Sequence, residues 1–180
     1  VKVLLDTCVI YPTVMREVLL RVAAVGVFEP LWSARILEEW ARAAIKLGPT
    51  GEMQARSEAA LMAAHWPKAV VDWKPSLEAR LWLPDAGDVH VLAAAIAGSA
   101  DMIITMNAKD FPRNILAEEG LVRQDPDGFL HGIWQAQPEL LLRIVGEVRD
   151  EAERLSGKPW DMRALMKKAR LPRLGKAVAA

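Results

Sequence analysis

Short apolar runs ending in polar residues alternate along this chain with stretches of helical periodicity. Val1-Lys-Val-Leu-Leu has strand length and stops at Asp6. Tyr11-Pro12-Thr13 reads as a turn with Thr13 as N-cap, and 14–24 as a helix stopped by Gly26. Ser33 has the chemistry of an N-cap for a helix reaching Lys46, which Gly48-Pro49 ends. Gly51 to His65 forms an alanine-rich helix, and Lys68 to Trp73 a second strand. After the turn Pro84-Asp-Ala-Gly87, the small-residue stretch Asp88 to Ala97 reads as a helix closed by Gly98. Met102 to Thr105 is a third strand, followed by a loop, a short helix near Ile115 and a strand at 121–123. Gln137-Pro138 opens a helix from Glu139 to Leu155. Gly157-Lys-Pro159 breaks it, and Trp160 to Ala169 is a last helix before Pro172.

Strands separated by helices predict a three-layer α/β/α fold with a central, mostly parallel sheet. The alternation stops between Asp125 and Pro138, after which only helices follow. This divides the chain into a domain at 1–134 and a helical extension at 135–180. There is no internal repeat.

Composition narrows the picture. At 180 residues and 52% hydrophobic, the chain suits one domain plus an extension and can bury a sizeable core. No apolar run approaches the roughly 18 residues needed to cross a bilayer. Val1 to Leu5 lacks the basic flank and cleavage site of a signal peptide. A single cysteine provides neither a disulfide framework nor a cysteine-built zinc site. These features fit a cytoplasmic protein. Lys plus Arg equals Asp plus Glu, 23 of each, so the basic excess of a dedicated duplex binder is missing. The charges are segregated, however: nine bases lie between Arg149 and Lys176. Their ordinary explanation is a solvated helix face. The sharper one is an arm that contacts phosphate or a partner.

The candidate chemistry lies in acids at strand and helix ends. Asp6 directly follows the first strand, where a carboxylate is costly to desolvate unless paired or coordinated. Its ordinary explanation is an N-cap. Glu39 borders the apolar side of its helix, three residues past Ile36 and four before Ala43. Glu38, four before Arg42, fits a surface ion pair. Asp88 shares the buried stripe with Val91 and Leu92, although Asp85 as cap and Asp88 in the first turn is a sufficient structural explanation. Asn107 and Asp110 follow the third strand and also suit a plain loop. Together these segments bring four or more oxygen ligands toward one sheet edge. A hard, oxygen-only set suits Mg2+ or Mn2+, ions that activate water and neutralise phosphate.

Four ordered segments carry a family resemblance: Leu4-Leu-Asp6-Thr-Cys-Val-Ile-Tyr-Pro12, Ser33-Ala-Arg-Ile-Leu-Glu-Glu39-Trp40, Leu83-Pro-Asp85-Ala-Gly-Asp88-Val-His-Val-Leu-Ala-Ala-Ala-Ile96 and Ile104-Thr-Met-Asn107-Ala-Lys-Asp110-Phe-Pro112. They resemble the motifs of bacterial PIN domains, most of all the branch with VapC-like toxins of toxin–antitoxin pairs. The likeness spans about Val1 to Leu130, and a trailing helical segment is also found in that branch. It implies a metal-dependent endoribonuclease that cleaves single-stranded RNA to a 5′-phosphate and a 3′-hydroxyl. It also implies a cognate antitoxin that blocks the acidic pocket with a basic side chain. By position, Asp6, Glu39 and Asp88 match the three central acids. The fourth position, often Asp, is Asn107 here, which implies reduced or altered metal binding. Asp110 lies three residues on and can supply the missing charge. Lys109, Arg113 or the basic tail would position RNA. The alternative is a weakened PIN scaffold that binds RNA or protein without cleaving. A DNA-directed structure-specific nuclease is a further rival, for whose extra helical elements 180 residues leave little room.

The other polar residues add little to this reading. Cys8 suits a small buried hydrophobe, because the Arg that a phosphatase-like loop needs is Val14 here. His65, His90 and His131 have no zinc spacing. His90 reads as a structural hydrogen-bonder, or as one acting behind a metal ligand. Thr7 and Thr105 stand beside proposed ligands, with capping and carboxylate bonding equally open. Most of the seven tryptophans fall at core spacing, with RNA stacking open for one or two. Helices such as 59–64, rich in apolar residues, suit a homodimer. No Walker loop or GxGxxG supports a nucleotide cofactor.

Overall fold

The computed structural model describes residues 1–180. Its strands are β1 (Lys2–Leu5), β2 (Glu29–Leu31), β3 (Met102–Ile104) and β4 (Val122–Gln124). The helices are α1 (Thr7–Ile10), α2 (Thr13–Ala24), α3 (Ala34–Ala43), α4 (Pro49–His65), α5 (Pro75–Ala79), α6 (Val89–Ala97), α7 (Arg113–Glu118), α8 (Pro126–Ala136), α9 (Pro138–Ser156), α10 (Met162–Lys168) and α11 (Pro172–Val178). No helix is long and apolar enough to cross a membrane.

The contacts form two compact units. The first comprises Val1–Tyr11 and Phe28–Gln124, the second Pro12–Val27 and Asp125–Ala180. The second unit therefore takes α2 from early in the chain and resumes at Asp125.

In the first unit the four strands are all parallel, in the order β2-β1-β3-β4. Val3, Leu4 and Leu5 are consecutive and buried, so both faces of the sheet are covered, as a parallel sheet requires. The α/β layered fold expected from the alternation is the one observed. Helix α6 packs against β1, and α3 packs on both α1 and α4. From β1 the chain steps to β2 on one side, then crosses to β3 and β4 on the other. The reversal lies between β1 and β3, and the crevice outside the carboxyl ends of strands at such a point is where open α/β sheets place ligands.

Two local expectations are corrected, and one strand was not foreseen. The run Lys68 to Trp73 forms only a bridge: Trp32 N–H donates to Ala69 O and Val71 N–H to Trp32 O. The strand beside β1 is Glu29-Pro30-Leu31, too short and too proline-marked to read as one. Thr13 is the first residue of α2, with Pro12 in the cap position and no side-chain cap bond.

In the second unit α2 packs on α9, and α11 packs on α8 and α10. Pro172 opens α11, because a proline at the first turn lacks only an N–H that would be unpaired there. The carboxylate of Asp127, 6% exposed, accepts the N–H groups of Arg173 and Leu174 at 2.9 Å each and so caps α11 from α8.

Candidate metal centre

Asp6 sits at the carboxyl end of β1, where its N–H donates to Ile104 O of the neighbouring strand. It is 5% exposed, and both carboxylate oxygens are held. Oδ1 accepts the Thr7 N–H at 2.8 Å, so Asp6 does cap α1. Oδ2 accepts the Thr105 hydroxyl at 2.8 Å and the Cys8 thiol at 3.4 Å. Burial pushes its pKa up against the pull of these three donors, and the charge of Glu39 adds to the rise. Cys8 is pushed up to about 12, first by burial and then by Asp6, which leaves it a neutral thiol.

Ser33 caps α3 by accepting the Ile36 N–H, which fixes the phase of the helix that carries Glu39. Glu39 Oε1 accepts the Thr7 hydroxyl at 3.3 Å. His90 Nε2 lies 3.0 Å from the same oxygen, off the N–H direction of a good hydrogen bond. His90 is fully buried on α6, and neither ring nitrogen has a well-aligned partner. Burial works against ionised Glu39, but His90, Thr7 and Arg35 outweigh it and leave the pKa below its ordinary value. Glu38 on the neighbouring position turns outward, pairing with Arg42 at 3.1 Å and Arg56 at 2.7 Å.

Asp85 caps a 3-10 turn at Ala86–Asp88 by accepting the Gly87 N–H at 2.8 Å. Residues three apart eclipse in a 3-10 turn, so Asp85 and Asp88 face the same way. Asp88 occupies the N-cap position of α6 without making a side-chain cap bond, so its carboxylate is uncommitted. One ligand oxygen from each of Asp85, Asp88 and Asp110 lies within 4.8 Å of the others. The Asp88 pKa rises to about 6, through burial first and then the charges of Asp6, Asp85, Asp110 and Glu39. Asp88 is thus the point on which the acids converge. Asn107 is exposed, and its N–H donates to the Thr105 hydroxyl at 3.0 Å.

Of the five residues singled out from sequence, Asp88 and Asp110 join one cluster with Asp85. Asp6 and Glu39 act on Asp88 electrostatically and are linked to each other by Thr7. Asp85 had a sufficient explanation as a cap. The signal for its convergence was the spacing Asp85-x-x-Asp88 ahead of an apolar helix. Mutually repelling carboxylates with hard oxygen donors form a set that a divalent cation fits, because its charge relieves the strain that raises Asp88.

A family model described as a PIN domain matches residues 2–109. The chain belongs to the PIN-domain family. Its PIN domain carries the nuclease-type fold of a family whose members generally need metal, and the matched segment contains every acid of the cluster except Asp110. No curated protein and no solved structure matches the chain.

Proposed function

We propose that this PIN domain is a Mg2+- or Mn2+-dependent endoribonuclease. The observation that carries the reading is the cluster of Asp85, Asp88 and Asp110, in which Asp88 also feels the charges of Asp6 and Glu39. Asp6, Glu39 and Asp88, joined by Asp85 and Asp110, would hold the metal. When bound, such an ion supplies Lewis-acid polarisation of a phosphodiester and lowers the pKa of water. The chain's own groups prepare the site. Thr7, Cys8 and Thr105 fix both oxygens of Asp6, while Thr7 bonds Glu39 and the His90 ring lies 3.0 Å from the same Glu39 oxygen. Lys109 and Arg113 are exposed beside Asp110 and would contact the phosphates of an RNA strand.

The test is cleavage of a labelled single-stranded RNA with Mn2+ by purified protein and by Asp6→Asn. Loss of about 100-fold or more in the variant is expected, as for removal of one charge-stabilising group. Equal cleavage by both would sink the proposal.

Asn107 favours a second reading, a PIN scaffold that binds without cleaving, since an acid is missing there. Asp85 counters it by returning a carboxylate to the cluster. Calorimetric titration separates the two: no Mg2+ or Mn2+ binding at millimolar concentration supports the scaffold.

The resemblance to VapC-like proteins extends the reading to a cytoplasmic toxin held by a small antitoxin. Growth arrest on expression, relieved by the product of the neighbouring reading frame, is the expected result. Exposed Ile45, Leu47, Met53 and Leu61 support a homodimer contact, which sedimentation equilibrium tests.

A further inference from the structure

The bases near the end of the chain remain outside the nuclease site. Between Lys158 and Lys176 there are seven Lys or Arg residues and one acid, Asp161. Asp161 caps α10 by accepting the Ala164 N–H at 2.9 Å. The acids just upstream are also engaged: Glu153 accepts the Trp160 N–H at 2.8 Å, and Glu151 pairs with Arg154. Lys158, Arg163, Lys167, Lys168 and Arg170 are exposed, and none forms an ion pair with a carboxylate. Arg170 is held in the left-handed region, at φ 62°, where glycine is the low-energy residue, so a cation stands where the backbone disfavours it.

These charges have an aromatic centre. The ammonium groups of Lys158 and Lys168 lie 5.1 and 5.0 Å from the Trp160 ring centroid. Two like charges against one ring repel each other, and an anion between them would relieve that repulsion. Beside them opens a cavity of about 300 Å³ whose walls include Trp160, Leu165, Ala169 and Val14, with Lys168 at its edge. An apolar slot beside an aromatic ring, with Lys168 in its lining and Lys158 over the same ring, matches a planar base joined to a phosphate. It matches a carboxylate-rich peptide less well, because such a peptide has nothing to place in the slot.

We propose that Trp160, Lys158 and Lys168 form a binding surface for single-stranded nucleic acid on the helical unit. One base lies against Trp160 in the cavity, and its flanking phosphates meet the two lysines. Arg163, Lys167 and Arg170 extend the same charge along α10 and its end. Single strands fit because their bases are free to stack, which a duplex does not allow. The inference rests on the ribonuclease reading for its biological sense, since it supplies a hold on the substrate strand.

The test measures binding of the full-length protein to a labelled single strand of roughly 12 nucleotides, as RNA and as DNA, by fluorescence anisotropy in EDTA. EDTA suppresses metal-dependent cleavage, so binding and nuclease activity are read separately. Trp160→Ala should weaken binding about tenfold, and Trp160→Phe should keep most of it. The surface variant Lys158→Gln/Lys168→Gln should flatten the plot of log affinity against log salt by about 1.4, at 0.7 per phosphate lost. Unchanged affinity and salt slope in the double variant would overturn the inference even if the protein cleaves RNA. So would competition by polyglutamate as strong as by the oligonucleotide, which would point to an acidic protein partner. Binding with the expected losses but no cleavage in Mn2+ would leave this surface standing and remove the nuclease reading.

Discussion

Asp88→Asn should stabilise the metal-free protein at neutral pH, because Asp88 is ionised there in a partly buried position and beside four other acids. Its pKa rises from 3.8 to about 6. A shift of that size corresponds to roughly 3 kcal/mol at 1.36 kcal/mol per unit. Asp88 is only partly buried, and solvent screening reduces the contribution to about 1 kcal/mol. Because the folded-state pKa is raised, the protonated form is favoured in the fold. The stability it confers is present below about pH 4 and lost as pH rises through about 6. In EDTA the variant should therefore melt above the wild type at pH 7.5, by about 2–4 °C for a chain of this size, and lose most of that advantage at pH 4. Millimolar Mn2+ at pH 7.5 should raise the wild-type melting temperature and leave the variant nearly unchanged. Differential scanning fluorimetry reads all of these. A variant that melts below the wild type in EDTA by the same margin at both pH values would refute the electrostatic reasoning, since Asp88 would then be making a structural bond.

Other positions give further checks. His90→Leu should weaken Mn2+ binding about tenfold in calorimetry with the fold kept, because Glu39 loses the imidazole 3.0 Å from its oxygen; unchanged affinity would show that this contact does not support the ligand. Native Cys8 should resist a thiol-disulfide reagent at pH 8 and react at once in guanidinium, since its partly buried site and Asp6 hold its pKa near 12; rapid native labelling would contradict the neutral thiol. Asp127→Ala should cost about 2–3 kcal/mol in urea unfolding by leaving two backbone N–H groups of α11 unpaired; a cost under about 0.5 kcal/mol would show that α11 docks without its cap.

Much of the site was legible because local chemistry and tertiary position agree there. Ser33 caps α3 as its side chain predicts, and that phase turns Glu38 out to Arg42 and brings Glu39 toward Thr7 and His90. Asp6 at a strand end could be a cap or a buried, partnered acid, and it proves to be both. Thr7 and Thr105 both bond carboxylates, a choice that sequence left open. What stayed hidden depends on pairing or on punctuation with two meanings. Glu29-Pro30-Leu31 is a strand only because β1 lies beside it, and Lys68 to Trp73 has strand composition but meets only Trp32. Asp125-Pro126 looks like a turn but is an N-cap followed by a first-turn proline, so α8 was not foreseen, and Pro172 hides α11 in the same way. The approach of Asp85 to Asp88 depends on the 3-10 turn between them, a distinction that helical periodicity does not draw.

The most direct test of the account is a crystal grown or soaked with Mn2+ and measured for anomalous scattering. A manganese peak is expected with a carboxylate oxygen of Asp88 in its coordination sphere, together with ligands from Asp6, Glu39, Asp85 or Asp110. An empty acidic cluster at millimolar Mn2+, or manganese bound only elsewhere on the molecule, would contradict it.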